Sequence, residues 1–88
     1  MPELCSFDGI SVYMYSEPGT KHKLPHLHAQ YQGMKAVISL DGALLDGDLP
    51  SRKLHVLLTW IAMRKDELME NWELLTSGKP YRKIEPLR

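Results

Sequence analysis

Three of the chain's four histidines, His22, His26 and His28, fall inside one short stretch, "KHKLPHLHAQY". Imidazole titrates near neutrality, so it can both take and give a proton there, and its neutral form is a common metal ligand. Pro25 fixes its own backbone and pushes Leu24 toward an extended conformation, which makes the approach to His26 stiff. If residues 27–31 run as a strand, alternation places His26 and His28 on one face and turns Leu27 and Ala29 toward a core. The roots of two such side chains stand about 6–7 Å apart. That span suits two ligands of one metal ion, or two groups flanking one scissile bond.

Two chemistries follow from this arrangement. In the first, His26 and His28 act as a general acid–base pair, with Tyr13 or Tyr15 of a neighbouring strand assisting. Tyrosine beside histidine on an open sheet face combines stacking with proton transfer, a combination suited to RNA. In the second, His22 folds over from the preceding loop, and His26 and His28 complete a three-histidine set for a divalent metal with one open coordination position. The plain alternative is a solvent-facing strand that happens to carry an H-x-H pair, a short motif with many chance matches. The residue types weigh these evenly.

The elements that must position the histidines are legible. In "ISVYMYS", Ile10, Val12 and Met14 alternate with Ser11, Tyr13 and Tyr15, which predicts a strand. Pro18 and Gly19 mark a loop. "HLHAQY" and "MKAVISL" predict two further strands, and Asp41-Gly42 is a hairpin pair leading to a fourth, "ALLDG". Connections this short favour an antiparallel meander. Pro50 suits a first helical turn. Leu54, Leu57, Leu58 and Ile61 form an apolar stripe at helical spacing, and Leu68, Trp72 and Leu75 continue it. "RKDE" interrupts the stripe, so the second half reads as one long helix or as two short ones meeting near Lys65. Gly78 and Pro80 stop the helix, and a basic extended tail follows. The expected fold is α+β: a four-stranded, mainly antiparallel sheet in the N-terminal half, packed by C-terminal helix in two layers.

With 88 residues, the chain has room for a single domain, residues 1–88, and no second core. Eleven basic and eleven acidic side chains cancel, so only a local patch could attract a polyanion. Cys5 is the only cysteine, which excludes an intrachain disulfide and a cysteine-built zinc site. There is no signal-peptide pattern and no apolar run approaching a bilayer span, so the expected location is cytoplasmic and no membrane is involved. A small domain stapled by neither disulfide nor evident zinc often completes its core with another chain. A homo-oligomer or a hetero-complex is therefore expected.

Other features have ordinary readings. Trp60 and Trp72 fit helix–sheet packing better than an aromatic platform for bases. Arg52, Lys53, Arg64 and Lys65 are interleaved with acids, which marks a solvated helix face. The tail is the better phosphate-binding candidate, because Lys79, Arg82 and Lys83 surround Tyr81 with no acid among them. No phosphate-binding glycine loop, HExxH helix or nucleophile elbow is present.

The segments "FDGISVYMY", "H-x-x-P-H-x-H-A-x-Y" and "ENWEL…GKPYRKIEPL" together resemble, nearly end to end, a family of small bacterial proteins known as domain of unknown function 4160. His22, Pro25, His26, His28 and Ala29 match its central motif. Lys21, Leu24 and Leu27 depart from it, where the family often has aspartate, proline and phenylalanine. The loop over residues 16–20 is also longer than usual. The resemblance implies a small cognate protein encoded nearby, in a pair that looks like a toxin–antitoxin module. It assigns no activity.

Three functions are expected on these grounds. The leading one is a toxin-like component that acts on RNA, a small ribonuclease-like enzyme using His26 and His28. The second is a non-enzymatic antitoxin or transcriptional regulator, although no helix-turn-helix signature is visible. The third is a metal-binding domain centred on His22, His26 and His28.

Overall fold

The computed structural model of the protein describes residues 3–14 and 24–87. Five strands, β1 (Glu3–Phe7), β2 (Ile10–Tyr13), β3 (His26–Tyr31), β4 (Met34–Ser39) and β5 (Leu44–Gly47), form one sheet in sequence order. Every neighbouring pair is antiparallel. The α+β class and the meander match the sequence reading, but the sheet has one strand more than the four expected. The extra strand is β1, joined to β2 by Asp8 and Gly9. Both turn residues have positive φ, 54° and 79°, as a two-residue hairpin loop of the mirror-image type requires. Gln32 and Gly33 repeat that geometry between β3 and β4, at φ 45° and 82°.

Alternation divides the sheet into two faces. Cys5, Val12, Ala29 and Ala36 line up across four strands and are buried. Ile10, Leu27 and Ile38 extend that apolar face. It is covered by two helices, α1 (Ser51–Met63) and α2 (Lys65–Thr76), through Leu57, Trp60, Ile61 and Leu68. The sequence left open one helix or two. The chain makes two, because Arg64 leaves helical geometry at φ −111°, ψ 19°, where the charged "RKDE" interrupts the apolar stripe. Asp66 and Glu67 lie in the first turn of α2, where the helix dipole favours negative charge.

At the end of α2, Gly78 takes φ 72°. Lys79 N–H donates to Leu74 C=O and Gly78 N–H to Leu75 C=O, at 2.8 and 3.2 Å. This crossed pair of bonds satisfies the last helical carbonyls and reverses the chain. The tail then runs back over the domain. The Asn71 amide donates to Arg82 C=O at 2.8 Å and accepts from Arg82 N–H at 2.7 Å. Ile84 N–H donates to Leu4 C=O at 3.0 Å, and Trp60 Nε1–H donates to Glu85 C=O at 2.7 Å. The tail is a strap that covers the β1 side of the sheet and buries Ile84.

The opposite edge, β5, stays short, and a register shift beside Val37 and Ile38 gives it one extra residue against β4. Charge, shortness and irregularity of this kind discourage edge-to-edge pairing.

Candidate active site

The second face of the sheet meets a helix at His26, which lies against Trp72 of α2, and its middle borders a groove. Register builds a row across it: Tyr13 opposite His28, His28 opposite Val37, and Val37 opposite Asp46. Directly opposed side chains in an antiparallel pair have their roots about 5 Å apart. Tyr13 and His28 are therefore in mutual reach, and Asp46 lies two strands, about 10 Å, beyond His28. These residues line a groove of about 320 Å³, with Gln30 and Lys35 at its other end. Tyr13, His28 and Gln30 are half-buried, and Lys35 and Asp46 are exposed.

Local backbone chemistry shapes the groove at β5. Gly47 has φ 68°, and a Cβ there would strike the carbonyl oxygen of Lys35. Only glycine lets β5 come this close to β4. Gly47 N–H in turn donates to Asp46 Oδ1 at 2.9 Å, which holds the carboxylate beside the groove.

The two motif histidines have different surroundings. His28 borders the groove, half-exposed. His26, two residues earlier at the start of β3, is only 5% exposed. Its ring packs 5.1 Å from that of Trp72 on α2 and meets the His28 ring edge-on at 5.3 Å. His26 Nδ1 lies 2.6 Å from Leu24 C=O. A carbonyl only accepts, so Nδ1 carries the hydrogen and the ring orientation is fixed from behind. Of these two, His28 is the imidazole a solute can reach.

The other expected site residues are distributed as follows. Tyr15 and His22 lie outside the described residues. Among the described residues, no group of three His, Cys, Asp or Glu side chains is placed to hold a metal ion. Lys79, Tyr81, Arg82 and Lys83 sit on the strap. Tyr81 packs against the core, Arg82 pairs with Glu70 at 3.0 Å, and Lys83 lies 3.7 Å from Glu3. Two of the three tail cations thus face carboxylates from elsewhere in the chain, which the local sequence does not reveal. Sequence reading missed Gln30, Lys35 and Asp46. The signal for the first two was available, since alternation along β3 and β4 assigns them to the histidine face. Asp46 was not recoverable, because the shifted register of β5 decides its face.

Burial pushes the Cys5 thiol above its ordinary pKa, with Glu85 adding to the rise. It is a core thiol on the helix-covered face and takes no part in the groove. No helix among the described residues is long and apolar enough to cross a membrane.

No curated protein and no solved structure matches the chain. A family model does match, over residues 9–73, and the chain belongs to that family, described as domain of unknown function (DUF4160). The match spans β2 to most of α2. It leaves out β1 and the strap, the two segments that bond to each other through Leu4 and Ile84.

Proposed function

We propose that the groove on the open face acts on single-stranded RNA, and that the protein is the toxin-like half of a bacterial protein pair. The observation that carries this reading is the juxtaposition of Tyr13 and His28 across β2 and β3, at the floor of a groove that also offers an ammonium, Lys35. An unpaired base can stack on a tyrosine, while an adjacent imidazole handles the ribose and phosphate. The proposed step is phosphodiester transesterification. His28 takes the proton of a ribose 2′-hydroxyl, and that oxygen forms a bond to phosphorus. The bond to the 5′-oxygen breaks, and the departing oxygen takes a proton from the Tyr13 phenol. The products are a 2′,3′-cyclic phosphate and a 5′-hydroxyl.

His26 supports this chemistry without touching substrate. At 5% exposure it has no access to a phosphodiester. Its edge-on contact with His28 and its bond to Leu24 make it a positioning residue. The resemblance to a family that implies a nearby cognate protein supports the pairing half of the proposal.

Induced expression in a bacterial host tests the reading. Wild type is expected to arrest growth, and His28→Ala, verified as folded by circular dichroism, is expected not to. Normal growth with folded wild type, together with sequence-specific DNA binding in vitro, would favour an antitoxin-like binding protein instead.

A further inference from the structure

A second row crosses the open face one step along the strands from the Tyr13–His28 row. Ser6 pairs with Ser11, Ser11 with Gln30, and Gln30 with Lys35. Its side chains are two hydroxyls, an amide and an ammonium, all able to donate hydrogen bonds to phosphate oxygens. The first row has a carboxylate at each end, Glu3 opposite Tyr13 and Asp46 opposite Val37. Between Ser6 and Lys35 the second row has none. The row ends beside Asp48, whose N–H donates to Lys35 C=O at 3.0 Å and whose Oδ1 accepts from Leu49 N–H at 2.8 Å. Among the described residues, the ion pairs of the chain use Lys53, Arg64, Lys65, Arg82 and Lys83, and leave out Lys35. A polyanionic backbone crossing this face therefore meets hydrogen-bond donors from Ser6 to Lys35, with a carboxylate only at the Asp48 end of the row.

Spacing makes the two rows commensurate with a nucleotide chain. Rows on one face are two residues apart, about 6.8 Å, and adjacent strands are about 4.8 Å apart. Lys35 stands one strand across and two residues along from His28. The roots of the two residues are thus about 8 Å apart, and a flexible lysine can reach a phosphate one nucleotide from the one His28 addresses.

Resting on the reading of the groove as an RNA site, we propose that Lys35, with Gln30 and Ser11, forms a second phosphate subsite. This subsite binds the phosphate adjacent to the scissile one. The substrate class is then single-stranded RNA carrying at least two consecutive phosphodiesters, and a dinucleotide with one phosphate engages only half of the site.

The experiment is fluorescence anisotropy with the full chain and labelled oligonucleotides made uncleavable by 2′-deoxy substitution at every ribose that carries a 3′-phosphodiester. Probes with one phosphodiester and with two are compared for wild type, Lys35→Ala and Lys35→Arg. Wild type is expected to bind the longer probe at least tenfold more tightly than the shorter. Lys35→Ala is expected to abolish that gain, and Lys35→Arg to restore it. With longer oligonucleotides, Lys35→Ala should also lower the slope of log affinity against log salt by about 0.7, the value for one phosphate contact on a single strand. A Lys35→Ala protein that keeps the full gain overturns the subsite, and leaves the RNA reading intact if wild-type cleavage still depends on His28. Wild type that binds neither probe overturns both.

Discussion

The rings of His26 and Trp72 lie 5.1 Å apart, tilted at 56°, so a strand residue that looks surface-bound from its alternation is packed against a helix. The contact separates two histidines that the motif presents as equals. His26 belongs to the packing and His28 to the groove.

Replacing His26 with alanine should cost stability first. It removes a buried ring from the side of Trp72 and leaves the Leu24 carbonyl without its donor. Truncating a buried side chain and orphaning a hydrogen-bond partner together cost about 2–4 kcal/mol. Urea unfolding, followed by tryptophan fluorescence, should show the midpoint shift with an unchanged slope. His26→Gln, if it regains the bond to Leu24, should recover part of the loss.

His28→Ala should behave in the opposite way. Its ring borders a groove rather than filling a core, so the unfolding free energy should change by less than about 1 kcal/mol. Any RNA-directed activity should fall by at least the roughly 10²-fold that a positioned acid–base group contributes. Comparing the two variants in parallel separates loss of fold from loss of chemistry.

Gly47→Ala should disturb β5. The residue has φ 68°, and the new Cβ meets the Lys35 carbonyl. A non-glycine residue in that region costs about 1–2 kcal/mol before any clash. Amide exchange should accelerate at the residues of β5 and the facing part of β4, leaving β1 and β2 protected.

Asn71 is the fastener of the strap. Asn71→Ala loses both of its bonds to the Arg82 backbone, and Asn71→Asp keeps the acceptor for Arg82 N–H while losing the donor to Arg82 C=O. At about 1 kcal/mol for each net bond, plus the penalty for exposing or orphaning backbone groups, the alanine variant should lose about 2–3 kcal/mol. Limited proteolysis should then cut within residues 79–87 under conditions that leave wild type intact.

Cys5 gives the chain a pH signature on its alkaline side. Burial raises the thiol's pKa in the folded state. The unfolded chain therefore ionises first as pH rises, and this group's contribution to stability falls from the ordinary thiol range up to the raised value. Native protein should react slowly with a thiol reagent at pH 8, and Cys5→Ala should flatten the alkaline decline in unfolding midpoint.

Much of this architecture is legible in the sequence, because its signals are local. Alternation in "ISVYMYS" and "HLHAQY", the run "MKAVISL" and the pair Asp41-Gly42 place three strands and a turn. The interrupted stripe between Ile61 and Leu68 locates the helix break. Strand β1 escapes because "ELCSF" is short and lacks clean alternation, although Asp8-Gly9 ahead of Ile10 is the signal that marks its hairpin. The unequal fates of His26 and His28 escape for a different reason. Strand periodicity assigns a face, and it cannot report that Trp72, 46 residues further along, comes to lie against the first residue of that strand. The tail cations are misleading in the same way, since Glu70 and Glu3 reach them only through folding.

The most direct measurement is incubation of purified full-length protein, and of folded His28→Ala, with a single-stranded RNA of mixed sequence. Gel analysis and detection of 2′,3′-cyclic phosphate ends give the readout. Wild type is expected to cleave the RNA and leave cyclic phosphate ends, and His28→Ala is expected to leave it intact. Cleavage of equal extent by both proteins, or intact RNA with folded wild type, contradicts the role proposed for His28.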